Sequence, residues 1–229
     1  RFKMIKEDIA NNDKNIVEKL IKIINSELYN FGRPLTYSRG KSFNIECLDE
    51  LYFSFFILEF LKDNYFNEII FIGDGAGLLS PLVIEIDKYY NPEKRKSYVL
   101  IDFLHFAFAT YLRNNNDDIK IYLPEELHLF ENNEVLSGFL PKIKGKRLVI
   151  NQDSFPEMSV VSLTTYLTNT ATETYVISYN QLASNAGKNH SDHLGILDEL
   201  GYQEIKTKDS KLRENYYLSA HKIIEKNNY

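Results

Sequence analysis

The chain has one cysteine, no hydrophobic run long enough for a membrane span and no dominant charge of either sign. Cys47 has no second cysteine to pair with, which excludes an internal disulfide and is typical of a reducing compartment. Every apolar stretch is shorter than the roughly 18 residues that a spanning helix needs. The polar start, Arg1 to Asp8, shows no signal peptide, so we expect a cytoplasmic protein.

The balance of charges also narrows the choice of partners. Interspersed basic and acidic residues, 27 and 32 in number, give a net charge of -5. Such a chain has no basic stripe for a phosphate backbone, so nucleic acid is not an expected partner. The 229 residues are enough for a substantial hydrophobic core.

The first part of the chain is predicted to be helical. Apolar residues recur at helical spacing from Glu7 to Asn30, and Gly32-Arg33-Pro34 ends that pattern. Residues 35–45 are predicted to form a polar loop, and 48–64 a second helix whose aromatic run is core. Both helices precede the first sheet strand, so we expect a helical cap over 1–66 and a sheet domain over 67–229.

The remainder alternates between strands and helices. Residues 69–72 read as a buried strand, followed by the glycine pattern Gly73-Asp74-Gly75-Ala76-Gly77. Further strands are predicted at 97–102, 119–123, 147–151 and 174–179, with helices at 79–89, 103–114 and 157–167. This alternation predicts an α/β fold with a doubly wound, mostly parallel sheet. A helix over 192–200 and strands at 201–205 and 216–224 predict an antiparallel hairpin at its edge.

Glycine after a strand lets the backbone approach a nucleotide-like ligand closely. The pattern alone does not separate S-adenosylmethionine from NAD or from a structural turn. The C-terminal hairpin favours the first, because class I methyltransferases end in this way and NAD-binding domains usually do not.

Three segments together resemble one family, the bacterial sugar O-methyltransferases, which are class I enzymes dependent on S-adenosylmethionine. They are the glycine motif at 73–77, the strand ending in Ile101-Asp102 with Tyr111-Leu112 beyond it, and the segment 151–158 (Asn-Gln-Asp-Ser-Phe-Pro-Glu-Met) with Tyr166 after it. The resemblance covers roughly 48–225. Phe71 stands where the family usually has an acidic residue, and Asp153 stands where the family often has a basic residue.

The resemblance implies S-adenosylmethionine as cofactor, with 67–229 as the domain that binds it. Asp102 would accept hydrogen bonds from the ribose hydroxyls, as acids at the end of a second strand do. The alternative is that Asp102 caps the following helix. The expected cofactor-binding residues are Gly73, Asp74, Gly75, Gly77, Asp102 and Asn151.

On the substrate side, Glu157 is the first choice for a general base or sugar-hydroxyl acceptor, and Asp153 the second. Asp153 and Ser154 are equally suited to helix N-capping. His193 is a third candidate base, because the pKa of a histidine lies near neutrality. It is equally an inert loop residue, or a metal ligand together with Asp153. The expected substrate-binding residues are Ser154, Tyr37, Arg39 and His190.

The leading hypothesis is therefore methyl transfer to a sugar hydroxyl, with a small-molecule or glycan substrate in surface-glycan biosynthesis. An NAD(P)-dependent oxidoreductase is the alternative, although Thr170 stands where a Tyr-x-x-x-Lys pair from Tyr166 would need lysine. A non-catalytic binding module is a third possibility, favoured by Phe71. The sequence does not decide between a monomer and a homo-oligomer.

Overall fold

The computed structural model describes residues 7, 9–30, 36–38, 41–43, 47–75, 77–92, 97–102, 110, 119–122, 143–168, 171–182, 192–210 and 212–224, with backbone alone at 28, 30, 36–38, 41–43 and 224. The chain forms two compact units. A helical unit contains Arg1–Tyr65, Asp74–Lys94 and His105–Asn116, and a sheet unit contains Phe66–Gly73, Arg95–Leu104 and Asp117–Tyr229. The sequence predicted one boundary, near residue 66, whereas the chain crosses between the units several times.

In the described part of the helical unit, the elements with defined bounds are four helices and a small β-hairpin. Its elements are α1 (Lys14–Ile24), α2 (Glu27–Asn30), β1 (Thr36–Ser38), β2 (Lys41–Phe43), α3 (Cys47–Asp63) and α4 (Leu79–Tyr90). The strands β1 and β2 pair antiparallel. The prediction of a polar loop over 35–45 was therefore wrong at these residues. Strands of three residues are too short to show an alternating pattern.

The single helix predicted from Glu7 to Asn30 was also wrong. Asp13 caps a new helix by accepting a hydrogen bond from the Asn15 backbone N–H at 2.8 Å. At the other end, the Asn25 amide donates to the Ile21 carbonyl and the Ser26 hydroxyl to the Ile23 carbonyl, both at 2.8 Å. Short polar side chains thus bind the backbone locally and interrupt the helix.

Helix α3 agrees with its predicted bounds within one residue at each end. Its aromatic run, Tyr52 to Phe56, is buried, so the prediction that this run is core is confirmed. None of the helices in the described ranges combines the length and the apolarity needed to cross a bilayer.

The described residues of the sheet unit form a sheet of seven strands in the order β5-β4-β3-β6-β7-β9-β8. They are β3 (Glu68–Ile72), β4 (Ser97–Ile101), β5 (Ile119–Tyr122), β6 (Ile143–Gln152), β7 (Ala171–Gln181), β8 (Gln203–Asp209) and β9 (Tyr216–Ile224). Strands β3 to β7 pair in parallel, and β9 pairs antiparallel with both β7 and β8. The predicted α/β class, with five parallel strands and a C-terminal antiparallel hairpin, is confirmed.

The register brings the carboxyl ends of the central strands to one edge. Ile72 of β3 pairs with Ile101 on one side and with Asn151 on the other. Asn151 in turn pairs with Ser178 of β7. The residues that follow these strands therefore emerge together, at the edge where open parallel sheets bind ligands.

Two helices of the sheet unit, α5 (Val160–Leu167) and α6 (His193–Glu199), contribute to an apolar core with the strands. The predicted helix over 157–167 begins later than expected. Phe155–Glu157 forms a short 3-10 turn, Met158 is extended, and Ser159 caps α5 by accepting from the Ser162 N–H at 3.1 Å. Of the helix predicted over 103–114, only Thr110 lies within the described residues.

Candidate active site

Gly73 directly follows β3 and makes a contact that no other residue allows. Its φ is +66°, and an added Cβ would lie 2.6 Å from the Cβ of Ser154. Its N–H donates to the carbonyl of Ile101 at 3.0 Å, which ties the start of the turn to the end of β4. Both the backbone conformation and the close approach therefore require glycine here.

Asn151 and Ser154 hold the turn in place. The buried Asn151 amide donates to the Ile72 carbonyl at 2.6 Å and to the Ser154 hydroxyl, and its oxygen accepts from the Phe155 N–H at 3.2 Å. Ser154 donates to the same Ile72 carbonyl at 3.2 Å. These bonds use both amide protons of Asn151. Direct contact of Asn151 with a cofactor and of Ser154 with a substrate remain predictions.

Asp102 stands at the end of β4, beside the glycine turn. It is 5% exposed, and its N–H donates to the Tyr122 carbonyl at 3.3 Å. Because Gly73 bonds to the preceding residue, Ile101, the acid and the first glycine are neighbours at one sheet edge. The alternative helix-capping role concerns residues after 102, which lie outside the described ranges.

The rest of the glycine loop belongs to the helical unit. Gly75 and Gly77 also have positive φ, +57° and +72°. An added Cβ at Gly75 would meet no described atom within 4 Å, so the space beside it is open. The Asp74 carboxylate accepts from the N–H groups of Leu79 at 3.1 Å and Ser80 at 3.3 Å, which makes it the cap of α4. Direct contact of Asp74 with a cofactor remains a prediction beside that role.

Asp153 follows β6 and is fixed by the C-terminal hairpin. It has φ +63°, its N–H donates to the Tyr179 carbonyl at 3.1 Å, and its carboxylate accepts from Nη1 of Arg213. Neither Asp153 nor Ser154 caps a helix through its side chain, in contrast to the alternative considered above. Sequence reasoning missed Arg213, because it lies in a polar turn, 60 positions from its partner.

Tyr216 completes this cluster. Burial, together with the neighbouring Asp153 carboxylate, raises the pKa of Tyr216 to about 12. The phenol therefore stays protonated at neutral pH. The Arg213 guanidinium lies over the Tyr216 ring, 4.8 Å from its centroid. Asp153, Arg213 and Tyr216 thus form one polar group at the carboxyl edge of the sheet.

The other two candidate bases have contrasting surroundings. Glu157 ends the 3-10 turn and its side chain is exposed. His193 begins α6, is 1% exposed and lies with its ring centroid 6.2 Å from that of Phe155. Burial lowers the pKa of His193 to about 4, and nearby His221 adds to this effect while Asp192 opposes it. Catalysis by Glu157 or His193 remains a prediction.

The remaining candidates are less completely described. Arg39 and His190 lie outside the described residues, and for Tyr37 the structure describes only the backbone, in β1. Asp192 caps α6 by accepting from the Gly195 N–H at 3.1 Å, as predicted for a helix start. Within the described ranges, no group of three or more His, Cys, Asp or Glu side chains is placed to hold a metal ion.

The sequence matches no protein-family profile and no curated protein. Its fold is similar to several solved methyltransferases. A SAM-dependent methyltransferase from Aquifex aeolicus gives a TM-score of 0.53 at 13% identity, covering 90% of this chain and 98% of that one. A candidate O-methyltransferase from Nostoc punctiforme PCC 73102 gives 0.51 at 9% identity, covering 90% and 68%. A candidate RNA methyltransferase from Pyrococcus horikoshii gives 0.50 at 13% identity, covering 93% and 98%.

At these identities the likeness establishes the fold alone. The fold is the Rossmann-like α/β fold of the SAM-dependent methyltransferases, as the C-terminal hairpin predicted. The acceptors named for these structures differ, so they do not support the narrower resemblance to sugar O-methyltransferases.

Proposed function

We propose that this protein is an S-adenosylmethionine-dependent methyltransferase. The observation that carries the proposal is the hydrogen bond from Gly73 to the carbonyl of Ile101, which places a glycine of obligatory positive φ beside Asp102. A glycine next to a buried acid suits an adenosyl ligand, because the acid can accept hydrogen bonds from the ribose hydroxyls. The open space at Gly75, the next glycine along the chain, also fits such a ligand.

The residues proposed to hold the cofactor divide by role. Asp102 would accept hydrogen bonds from the ribose hydroxyls, and Gly73, Gly75 and Gly77 would give the loop its left-handed turns. Of the three, Gly75 is the glycine with space for a ligand beside it, because Ser154 and Thr110 lie at the Cβ positions of the other two. Asp74 and Asn151 would shape the loop through the hydrogen bonds described above. When bound, S-adenosylmethionine supplies an electrophilic methyl group.

The proposed acceptor is a hydroxyl group of a sugar, in surface-glycan biosynthesis. The resemblance of the segment 151–158 to sugar O-methyltransferases supports this choice. Glu157 would take the hydroxyl proton as its general base, a role that typically contributes a factor of about 10² to 10⁴. Ser154 and Asp153 would orient the sugar, and Tyr37, Arg39 and His190 are further proposed contacts.

RNA is the acceptor named for one structural neighbour, and a net charge of -5 counts against it here. A protein that binds RNA through its phosphates needs a surplus of lysine and arginine on one face. A small sugar acceptor is compatible with the mixed charges of this chain.

Calorimetric titration with S-adenosylhomocysteine, with NAD⁺ as the control ligand, tests the proposal. We expect micromolar binding of the first and none of the second. Asp102→Ala should weaken binding at least tenfold, because a charge-assisted hydrogen bond is worth about 1.5–3 kcal/mol. The matched control is Asp198→Ala, which removes an exposed acid of α6.

Two results would contradict this assignment, and a third would change the role of Asp102. Binding of NAD⁺ alone would favour an oxidoreductase. Binding of neither ligand would favour a non-catalytic module. Equal affinity of wild type and Asp102→Ala would remove Asp102 from the ribose role.

A further inference from the structure

The ion pair between Asp153 and Arg213 is held in a defined position and is partly exposed to solvent, as a binding site for a polar ligand would be. We propose that it binds two adjacent hydroxyl groups of an uncharged sugar, so that the acceptor is a neutral sugar and not a sugar acid or sugar phosphate. This inference rests on the proposed methyltransferase function, of which it specifies the substrate class. Arg213 is then a specificity-determining residue contributed by the turn between β8 and β9.

The backbone of this turn is held by Ser210. Its hydroxyl oxygen accepts from the N–H groups of Leu212 at 3.2 Å and Arg213 at 3.0 Å. The same hydroxyl is hydrogen-bonded to the phenol of Tyr179 at 2.7 Å. The Ser210 N–H donates to the Tyr216 carbonyl at 2.9 Å, closing the hairpin. Arg213 therefore starts from a defined backbone position.

The guanidinium is also held in one orientation. It lies 4.8 Å from the ring centroid of Tyr216 and 5.8 Å from that of Tyr179. The two rings pack edge to face with centroids 5.3 Å apart. An arginine stacked on aromatic rings loses little further side-chain freedom when it binds a ligand.

The pair is accessible from solvent. The side chains of Arg213 and Asp153 are 24% and 38% exposed, so a ligand can reach both charged groups. Asp153 adopts φ +63°, a left-handed conformation that few residues other than Gly, Asn and Asp adopt. Such conformations persist where the surrounding structure enforces them, and they are frequent at functional sites.

The chemistry of the two groups matches a vicinal diol. A carboxylate only accepts hydrogen bonds and a guanidinium only donates them, whereas a hydroxyl does both. One sugar hydroxyl can therefore donate to Asp153 while its neighbour accepts from Arg213. The half-buried Tyr216 ring beside them offers an apolar surface for the C–H groups of the sugar.

The net charge of the pair selects against anions. Asp153 neutralises the positive charge of Arg213. A carboxylate or phosphate that approached Arg213 would therefore also be repelled by the carboxylate of Asp153. An unpaired arginine would instead favour a planar anion, which it binds through two parallel hydrogen bonds.

Ligand-observed NMR measures the preference for neutral sugars over sugar acids from binding alone, with no methyl transfer needed. The probes are methyl glycosides of glucose, galactose, mannose, fucose and rhamnose, and of glucuronic and galacturonic acids, each with and without S-adenosylhomocysteine. We expect at least one neutral glycoside to bind and both acids to bind more weakly. The same panel, assayed with S-adenosylmethionine labelled in the methyl group, should carry label only on neutral members.

Two variants test the named residues. Arg213→Lys keeps the positive charge but loses the planar guanidinium with its several N–H donors. Binding of the neutral sugar should therefore weaken roughly tenfold, and kcat should change much less than KM. Asp153→Asn removes the neutralising acid and should raise the affinity for the sugar acids relative to the neutral sugar. Glu204→Gln, an exposed acid-to-amide change on β8 of the same hairpin, is the matched control.

Preference of the wild type for the sugar acids, or no binding by any glycoside, would overturn the inference. So would variants that leave the preference unchanged, or that both unfold. Affinity for S-adenosylhomocysteine, measured on the same samples, separates this failure from failure of the proposed function. If S-adenosylhomocysteine binds and the sugar preference is the same with and without the change at Arg213, only the diol site is refuted.

Discussion

The guanidinium of Arg147 donates from Nε to Oε2 of Glu68 at 2.6 Å, across the parallel pair of β6 and β3. The two side chains are 1% and 7% exposed. A buried ion pair of this kind is costly to break, because removing one partner leaves the other charge buried without the opposite charge that balanced it.

Glu68→Leu is therefore expected to lower the free energy of unfolding by about 3–5 kcal/mol. The double variant Glu68→Leu/Arg147→Met should recover most of that loss, since no unpaired charge remains. Urea denaturation followed by circular dichroism gives both values. Glu18→Gln, which breaks the exposed pair with Lys14, is the control and should leave the midpoint unchanged. A double variant no better than the single one would contradict this account.

Two glycines of the loop after β3 should respond differently to alanine. Gly73→Ala combines a left-handed backbone with a clash against Ser154, so it should destabilise the fold strongly. Gly75→Ala adds only the backbone cost, about 1–2 kcal/mol, because no described atom lies within 4 Å of its new Cβ.

Binding separates the two roles further. If the space beside Gly75 receives the cofactor, Gly75→Ala should remain folded and yet lose affinity for S-adenosylhomocysteine by calorimetry. Unaltered affinity in a folded Gly75→Ala would show that this space is not used. Thermal melting of both variants establishes which of them is folded at the assay temperature.

The catalytic base can be identified by two conservative changes. Glu157→Gln should leave S-adenosylhomocysteine binding intact and lower turnover by about 10²-fold or more, because an amide accepts no proton at neutral pH. His193→Gln replaces a buried side chain and should affect stability more than turnover. The reverse pattern, with full activity in Glu157→Gln and none in a folded His193→Gln, would assign the base to His193.

Acid should destabilise the protein through His193 and His221. Burial lowers the pKa of each to about 4 in the folded protein, from an ordinary value of 6.5. Above about pH 7.5 both are neutral in either state, so they contribute no pH dependence there. As the pH falls from 6.5 to 4, the unfolded chain takes up protons that the folded protein excludes, and the free energy of unfolding falls.

His221→Gln should reduce that fall, by on the order of 2 kcal/mol between pH 7.5 and pH 4.5. Urea denaturation of wild type and variant at the two pH values gives the difference directly. The Asp and Glu side chains contribute the same pH dependence to the free energy of unfolding of both proteins, so their contribution cancels in the comparison. The same pH dependence in wild type and variant would show that His221 is not held neutral by the fold.

Local patterns predicted the parts of this protein whose interactions are local. The strand before Gly73, the glycine turn, the acid after β4 and the C-terminal hairpin all follow from runs of apolar residues and the residues that end them. The failures are local as well. Asp13 and Ser26 interrupt the first helix by binding the nearby backbone, and the β1–β2 hairpin is too short to show a period.

The sequence by itself determined the α/β class, the parallel strands with an antiparallel hairpin at the end, and which glycines and acids follow the central strands. Burial periodicity and turn chemistry act over a few residues, so local patterns are enough for these features. Only the tertiary structure decided the partners of Asp153 and Glu68. Arg213 and Arg147 lie 60 and 79 positions away along the chain. Charges attract through space and not along the sequence, so these pairs emerge only once the strands are in register.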